Sequence, residues 1–384
     1  MKPGGIAAVL AASLLGMAYP DSVWWTDRAR PPRSSDEFRF DAGTDYPAGE
    51  YPCSIAIGLL NEDPLPDLAV ADYGSNSVAV LLGDGQGAFG RRREFAAGFL
   101  PYSVAIGDLN GDGRADLAAA SEGSGAVSVL LGKGDGTFAG RKDVEAGGGA
   151  YSVALGDLNA DGMADLVATN LNRNQVSVLL SRGDGSFHPV ASYTTAHGPR
   201  SVAIADLDLD GTPDLAVACF NSDAVSISLG NGDGTFRRRR DYSAGLSPYS
   251  VQAGHLNEDS WPDLAVSNLV SNSVSVFLGT GHGAFRKSRD LRTGGQPYGL
   301  VVRDLNEDGR ADLATADLAT SSISVALGKG NGGFLRSEQL PTGKHPQAIA
   351  AGDLNRDGRP DLVTANSASN TVRVFLNRAK PGPP

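Results

Sequence analysis

The sequence predicts an all-β fold assembled from seven copies of one four-stranded unit, and three observations predict it. A nine-residue acidic phrase returns every 49 residues with no insertion or deletion. Inside each period the apolar residues alternate at a spacing of two, as half-buried strands require. Gly occurs 50 times and aromatic residues make up 7% of the chain, a balance that suits many tight turns between short strands and disfavours long helices.

The phrase reads LLNEDPLPD from Leu59, DLNGDGRAD from Asp108, DLNADGMAD from Asp157 and DLDLDGTPD from Asp206. It continues as HLNEDSWPD from His255, DLNEDGRAD from Asp304 and DLNRDGRPD from Asp353. Around each copy, segments such as YSVAIGD and DLAAA flank the acidic loop, AVSVLLG follows a small polar turn, and GDGTF leads into a more polar stretch. That is four short strands per unit. A unit of this kind cannot bury its faces alone, and seven of them packed around an axis make a β-propeller of four-stranded blades. A β-helix is disfavoured because its repeat is much shorter.

The chain ends predict how the ring closes. Phe89, Phe138, Phe187, Phe236, Phe285 and Phe334 mark the start of the fourth strand in six units, and the seventh such position would fall at residue 383, in the terminal PGPP. Phe40 stands one period before Phe89. An N-terminal strand is therefore expected to complete the last blade and remove its open edge.

Three segments precede or make up this body. Residues 1–18, with Lys2, an apolar run from Ile6 to Leu15 and small residues at Gly16 and Ala18, read as an export signal peptide too short for a membrane span. Residues 19–39 contain RARPPRSSD and read as a flexible linker, with Trp24 and Trp25 on it. Residues 40–384 are the propeller. The mature chain is expected to be soluble, monomeric, without a membrane span or a nucleic-acid partner, and secreted, periplasmic or at the cell surface. Cys53 and Cys219 lie 166 residues apart, so two buried free thiols are expected and no disulfide framework.

The acidic loops are the candidate metal sites. Positions 1, 3, 5 and 9 of the phrase offer side-chain oxygens, position 7 a main-chain carbonyl, and position 6 is Gly where the backbone must turn with positive φ. Six oxygens and a water suit Ca²⁺ better than Mg²⁺ or Zn²⁺. Five copies are complete and predict about five Ca²⁺ sites. The ligands are Asp108, Asn110, Asp112, Arg114 and Asp116 in the first, and Asp157, Asn159, Asp161, Met163 and Asp165 in the next. Asp206, Asp208, Asp210, Thr212 and Asp214 form the third. Asp304, Asn306, Asp308, Arg310 and Asp312 form the fourth, and Asp353, Asn355, Asp357, Arg359 and Asp361 the fifth. Leu59 and Pro64 in one remaining copy, and His255 and Ser260 in the other, depart at positions 1 and 6. In these two the Asn and Asp residues are expected to cap turns instead. The complete loops carry 16 Asp carboxylates behind the net charge of −11, so the acidity of the chain describes its loops and says little about partners.

With DLNGDGRADL and GKGDGTF recurring once per blade, residues 40–384 resemble the FG-GAP or VCBS repeat family, whose best-known relatives are the seven-bladed propellers of integrin α-subunits. The resemblance implies Ca²⁺ held in hairpin loops on one face of the disc and partner contacts on the opposite face. It names no ligand.

Other residues are candidates for chemistry. His188, His197, His255, His282 and His345 read as loop residues, with His197 and His345 sharing one phase three blades apart. Arg182, Gly183 and Asp184 spell an adhesion tripeptide at a position where other units read KGD or NGD, so the repeat accounts for it. The basic runs Arg91 to Arg93 and Arg237 to Arg240 begin the fourth strand, where charge protects an outer edge; binding to a polyanionic glycan is the sharper alternative. Tyr102, Tyr151, Tyr249 and Tyr298 share one phase with Arg200 and Gln347 on the side away from the acidic loops. They either stack on a sugar or peptide at the channel mouth or pack from blade to blade. The sequence thus predicts a non-enzymatic, exported, Ca²⁺-binding module for an extracellular protein or glycan. A lectin-like carbohydrate binder and, third, a propeller-type polysaccharide lyase or hydrolase are the alternatives.

Overall fold

The computed structural model describes residues 39–378. The export signal, the linker up to residue 38 with Trp24 and Trp25, and residues 379–384 lie outside the described residues. The described chain forms seven antiparallel sheets, six with chain-ordered strands and one completed from the N-terminus. In the second blade, Pro101–Gly107 lies innermost, followed outward by Asp116–Ser121, Ala126–Leu130 and Lys142–Glu145. Innermost strands of successive blades stand side by side around the axis, and Pro52–Gly58 of the first blade meets Pro346–Gly352 of the last. The ring is closed.

The expected closure strand is present. Thr44–Pro47 pairs antiparallel with Thr371–Phe375, with Asp45 opposite Arg373 and Tyr46 opposite Val372. Phe40 bridges Asn377 just as Phe89 bridges Gly83 one period later. The six repeat phenylalanines correct one expectation, however: only Phe285 lies within a strand, Ala284–Lys287, while the fourth strand of the first blade begins at Arg93, four residues past Phe89. The reason is the turn: Phe89 makes a single bridge to Gly83 that closes the GDGQG turn, and the ladder resumes only at Arg93. Phe89 turns against Tyr46, Phe138 against Phe95, and Phe236 against Tyr193, each edge-to-face with the outermost strand of the preceding blade. Contacts of this kind add about 0.5–1.5 kcal/mol beyond the area they bury, and Phe285 makes one to Tyr242 from within its strand.

Burial follows position in the blade. Second strands such as Asp67–Asp72 are buried at every residue, because neighbouring blades cover both faces, which explains their runs of Leu, Val and Ala. Fourth strands such as Arg93–Ala96 are largely exposed and carry the charges. Where blades converge near the axis only small residues fit: a Cβ on Gly107 would stand 2.7 Å from Leu155 of the next blade. Serines stitch the inner strands together, with Ser54, Ser103 and Ser201 each accepting a main-chain N–H from the following blade. Cys53 and Cys219 are buried free thiols, as expected.

Candidate functional site

Strand direction sorts the loops onto two faces. The acidic loops join first to second strands on one face, and the segments that lead into each innermost strand lie on the other.

On the acidic face, Asp at position 9 has a role that the sequence reading did not give it. In the second blade Asp116 accepts the Leu109 N–H at 2.8 Å and the Gly132 N–H at 2.7 Å, one on each carboxylate oxygen. The other six blades repeat this, including Asp67 and Asp263 of the incomplete loops. All seven are fully buried, and burial lifts them to about 6 or 7 despite the two N–H donors. Each is therefore a strut tying the acidic loop to the turn after the third strand. One lone pair per oxygen remains for a second partner.

Positions 1 and 6 are coupled. In each complete loop the position-1 carboxylate accepts the N–H of the position-6 glycine at 2.8–2.9 Å: Asp108 from Gly113, Asp157 from Gly162, Asp206 from Gly211, Asp304 from Gly309 and Asp353 from Gly358. Those glycines have φ between +78° and +88°, as the sequence predicts. Position 4 is left-handed too, even where it is Ala160, Leu209, Glu307 or Arg356. Holding such residues there costs on the order of 1 kcal/mol each. Pro64 has no N–H to give and Leu59 no oxygen to receive one, so the two departures in the first loop are one structural change.

Positions 3 and 5 cluster in every loop. Asn110 donates to Asp112 at 3.1 Å, Asn159 to Asp161, Asn306 to Asp308 and Asn355 to Asp357, and so do Asn61 to Asp63 and Asn257 to Asp259 in the incomplete loops. The position-5 carboxylate also caps the N–H of position 7, from Arg114, Met163, Thr212, Arg310 and Arg359. The incomplete loops keep this capping, through Leu65 and Trp261. In the Asp206 loop, Asp208 replaces the usual Asn, and Asp206, Asp208 and Asp210 each place one oxygen within 4.8 Å of the others. Mutual repulsion and burial raise Asp208, with burial the larger cause, and Arg237 approaches Asp210 at 3.6 Å. The donors are all hard oxygens, which fits Ca²⁺ and excludes a soft-metal site.

On the opposite face, the position shared by Cys53, Tyr102, Tyr151, Arg200, Tyr249, Tyr298 and Gln347 is the second residue of each innermost strand. All but Cys53, whose Sγ lies between the first two blades against the carbonyls of Ala71, Pro101 and Tyr102, meet over the axis. Tyr102 stacks on Tyr151 with centroids 3.9 Å apart, and Tyr249 tilts on Tyr298 at 4.2 Å. The Tyr102 hydroxyl bonds to Tyr249 at 2.6 Å and donates to Gln347 Oε1 at 3.0 Å, and the Tyr151 hydroxyl bonds to Tyr249. The rings pack on one another from blade to blade, and they do so across the channel mouth. Around them the rim exposes Phe99 (58%), Val270 (55%), Leu246 (52%) and Tyr51 (42%).

The remaining candidates stay apart. His197 and His345 are exposed on separate loops. Asp184 of the adhesion tripeptide caps Ser186 in a tight turn. Of the basic runs, Arg93 and Arg240 open fourth strands, and the preceding arginines lie ahead of them. Among the described residues no helix is long and apolar enough to cross a membrane.

Six overlapping stretches, residues 60–119, 108–168, 157–217, 210–266, 255–315 and 304–364, match the FG-GAP-like repeat. No curated protein matches the chain in sequence. Among solved structures, BBS1N in complex with ARL6DN is similar at 12% identity, with a TM-score of 0.63, covering 89% of this chain and 97% of that one. An Agrocybe aegerita lectin that recognises non-reducing terminal N-acetylglucosamine is similar at 18% identity and TM-score 0.54, over 94% and 96%. Virginiamycin B lyase from Staphylococcus aureus is similar at 12% identity and TM-score 0.60, over 88% and 99%. At these identities the likeness is one of fold, and the three relatives differ in function.

Proposed function

This chain belongs to the FG-GAP-like repeat family, and from that premise we propose that it is an exported, Ca²⁺-stabilised, non-enzymatic binding module whose protein partner docks on the face away from the acidic loops. The observation that carries this reading is the rim of exposed Phe99, Leu246 and Val270 around a channel mouth filled by the protein's own tyrosines. Exposed apolar side chains grouped on one face favour a protein partner. A mouth packed with side chains suits docking better than enclosure of a small substrate. The five complete loops supply the Ca²⁺ reading, through oxygen donors and strained left-handed backbone that a bound cation would offset. Lys2 and the apolar run from Ile6 to Leu15 support export.

The test compares the two faces. Immobilised protein is offered to extracellular proteins of its own organism and, in parallel, to a glycan array. Retention of a protein that Phe99→Asp and Leu246→Asp abolish, and Asp112→Ala leaves intact in excess Ca²⁺, supports the reading. Retention indifferent to both rim variants overturns it. The lectin-like reading rests on the exposed ring of Tyr51, which could stack on a pyranose; glycan binding lost in Tyr51→Ala would favour it.

A further inference from the structure

Arg200 is the one cation among the seven residues that share this repeat position. Its guanidinium carbon stands 4.3 Å from the centroid of Tyr151, 5.1 Å from Phe220 and 5.8 Å from Tyr249. Among the described residues it forms no ion pair, and its Nε donor is buried with no acceptor. Its polar neighbours are the hydroxyls of Tyr151, Tyr249 and Tyr102. Burial pushes all three well above the ordinary tyrosine range, so they stay neutral and offer no countercharge.

Hydrogen-bond polarity sharpens this. Tyr102 donates its one proton to Gln347 Oε1 at 3.0 Å. A hydroxyl has a single proton, so Tyr249 must donate to Tyr102, and Tyr151 to Tyr249. The protons all run away from Arg200. The chain ends on an amide carbonyl, and its start beside Arg200 is a neutral oxygen lone pair. A half-buried cation with a neutral hydroxyl and aromatic faces beside it but no anion is costly, and those contacts offset only part of that cost.

We propose that a single carboxylate presented by a polypeptide partner docks over the channel mouth, with Arg200 as its counter-ion. One guanidinium in an aromatic wall matches a planar monoanion. The tyrosine protons are committed to one another, and none of the other six residues at this repeat position is a cation to hold a doubly charged group such as phosphate. Apolar neighbours of the carboxylate would rest on Phe99 of the second blade and on Leu246 and Val270 of the fifth, the last two joined by a main-chain hydrogen bond of 3.2 Å. The partner is thus an acidic side chain or chain terminus within an apolar segment. Interfaces commonly place a desolvated Arg among aromatic residues at their centre.

This proposal rests on the docking face named above, but its test uses the purified chain without any partner, so the two readings can fail separately. N-acetylphenylalanine, a mimic of an apolar chain terminus, and its neutral amide are titrated by NMR into Ca²⁺-loaded protein. The acid should bind and the amide should not. Arg200→Gln should weaken the acid by about tenfold or more, and Arg200→Lys should restore part of the loss, as removing and replacing a charge-assisted bond would. Inorganic phosphate should compete no better than acetate. Equal binding of acid and amide, or no binding of either, overturns the proposal from the wild-type protein alone, whatever the variants do to folding. Undiminished binding by folded Arg200→Gln, or phosphate outcompeting acetate, also overturns it.

Discussion

Asn61 of the first acidic loop forms an antiparallel bridge with Asp135 in the turn of the second blade. The Glu62 N–H donates to the Gly134 carbonyl at 2.9 Å, and the Gly136 N–H to the Leu60 carbonyl at 3.1 Å. Asn257 makes the same bridge to Asn331 between the fifth and sixth blades. These are the two loops that lack Asp at position 1 and Gly at position 6. Among the described residues no complete loop forms such a bridge. A tie through position 2 is not confined to them, since the Gly234 N–H donates to the Leu158 carbonyl of the complete Asp157 loop at 2.9 Å; what the incomplete loops add is the bridge at position 3.

Chelation should separate the two classes. A site bound only by the folded state contributes about 2.7 kcal/mol when the ion stands at a hundred times its dissociation constant, so removing Ca²⁺ should lower the melting temperature by many degrees in calorimetry. Asp112→Ala should cost more than Asp63→Ala in Ca²⁺, and the gap should close in chelator. Equal costs in both buffers would mean that the carboxylates only cap turns.

Rebuilding the first loop requires both changes at once. Leu59→Asp alone supplies an acceptor for which Pro64 has no N–H, and Pro64→Gly alone supplies an N–H with no acceptor. The double variant should bind one more Ca²⁺ than wild type by isothermal titration, and neither single variant should. A gain in Leu59→Asp alone would break the coupling of positions 1 and 6.

Much of this was legible in the sequence because it repeats. A strict period fixes blade count, strand order and the phase of the closing strand, since each blade must present the same faces to its neighbours. Register with Phe40 sufficed to place Thr44–Pro47 on the last blade. What the period could not tell is what happens where copies meet across the axis. Tyr102, Tyr249 and Gln347 share a phase, yet their hydrogen bonds join blades 147 and 245 residues apart. Asp at position 9 shows the same limit at short range: its two N–H donors, from Leu109 and Gly132 in the second blade, come from segments that the spacing of the phrase alone does not join.

Departures from the repeat locate strain as well. Asp72 ends the second strand of the first blade, where the third and fifth blades have Asn170 and Asn268, which donate to Ser177 and Ser275. The corresponding third-strand residue here is Ala79, and both Asp72 oxygens are buried without a hydrogen-bond partner. Burial lifts its pKa to about 7, with the Gly49 N–H and Arg92 opposing. The folded pKa lies above the unfolded value of about 3.9, so the contribution of Asp72 to stability is fully present below about pH 4 and is lost as pH rises through about 7. Asp72→Asn with Ala79→Ser should then gain about 1–3 kcal/mol at pH 8 over wild type and less at pH 5. Urea unfolding at both values measures this in chelator. A gain independent of pH would show that Asp72 is not the cause.

Ring closure makes the last prediction, because a salt bridge and a strand act there at very different scales. Asp45 and Arg373 form a two-pronged pair at 2.8 and 2.6 Å across the closing strands. The pair is partly exposed, so Arg373→Ala should cost no more than about 1 kcal/mol. Deleting residues 1–47 removes far more. It strips Tyr46 from Phe89 at the junction of the last and first blades, and it takes the Phe40 bridge from Asn377. It also bares the edge of Thr371–Phe375, whose Val372 and Val374 are buried in the intact ring. An uncovered apolar edge invites pairing between molecules. The deletion should lose several kcal/mol, on the scale of one blade interface without its aromatic clamp and ladder, and should associate with rising concentration in sedimentation. A deleted chain that melts like wild type and stays monomeric would mean that the inner strands alone, Pro52–Gly58 against Pro346–Gly352, hold the ring shut.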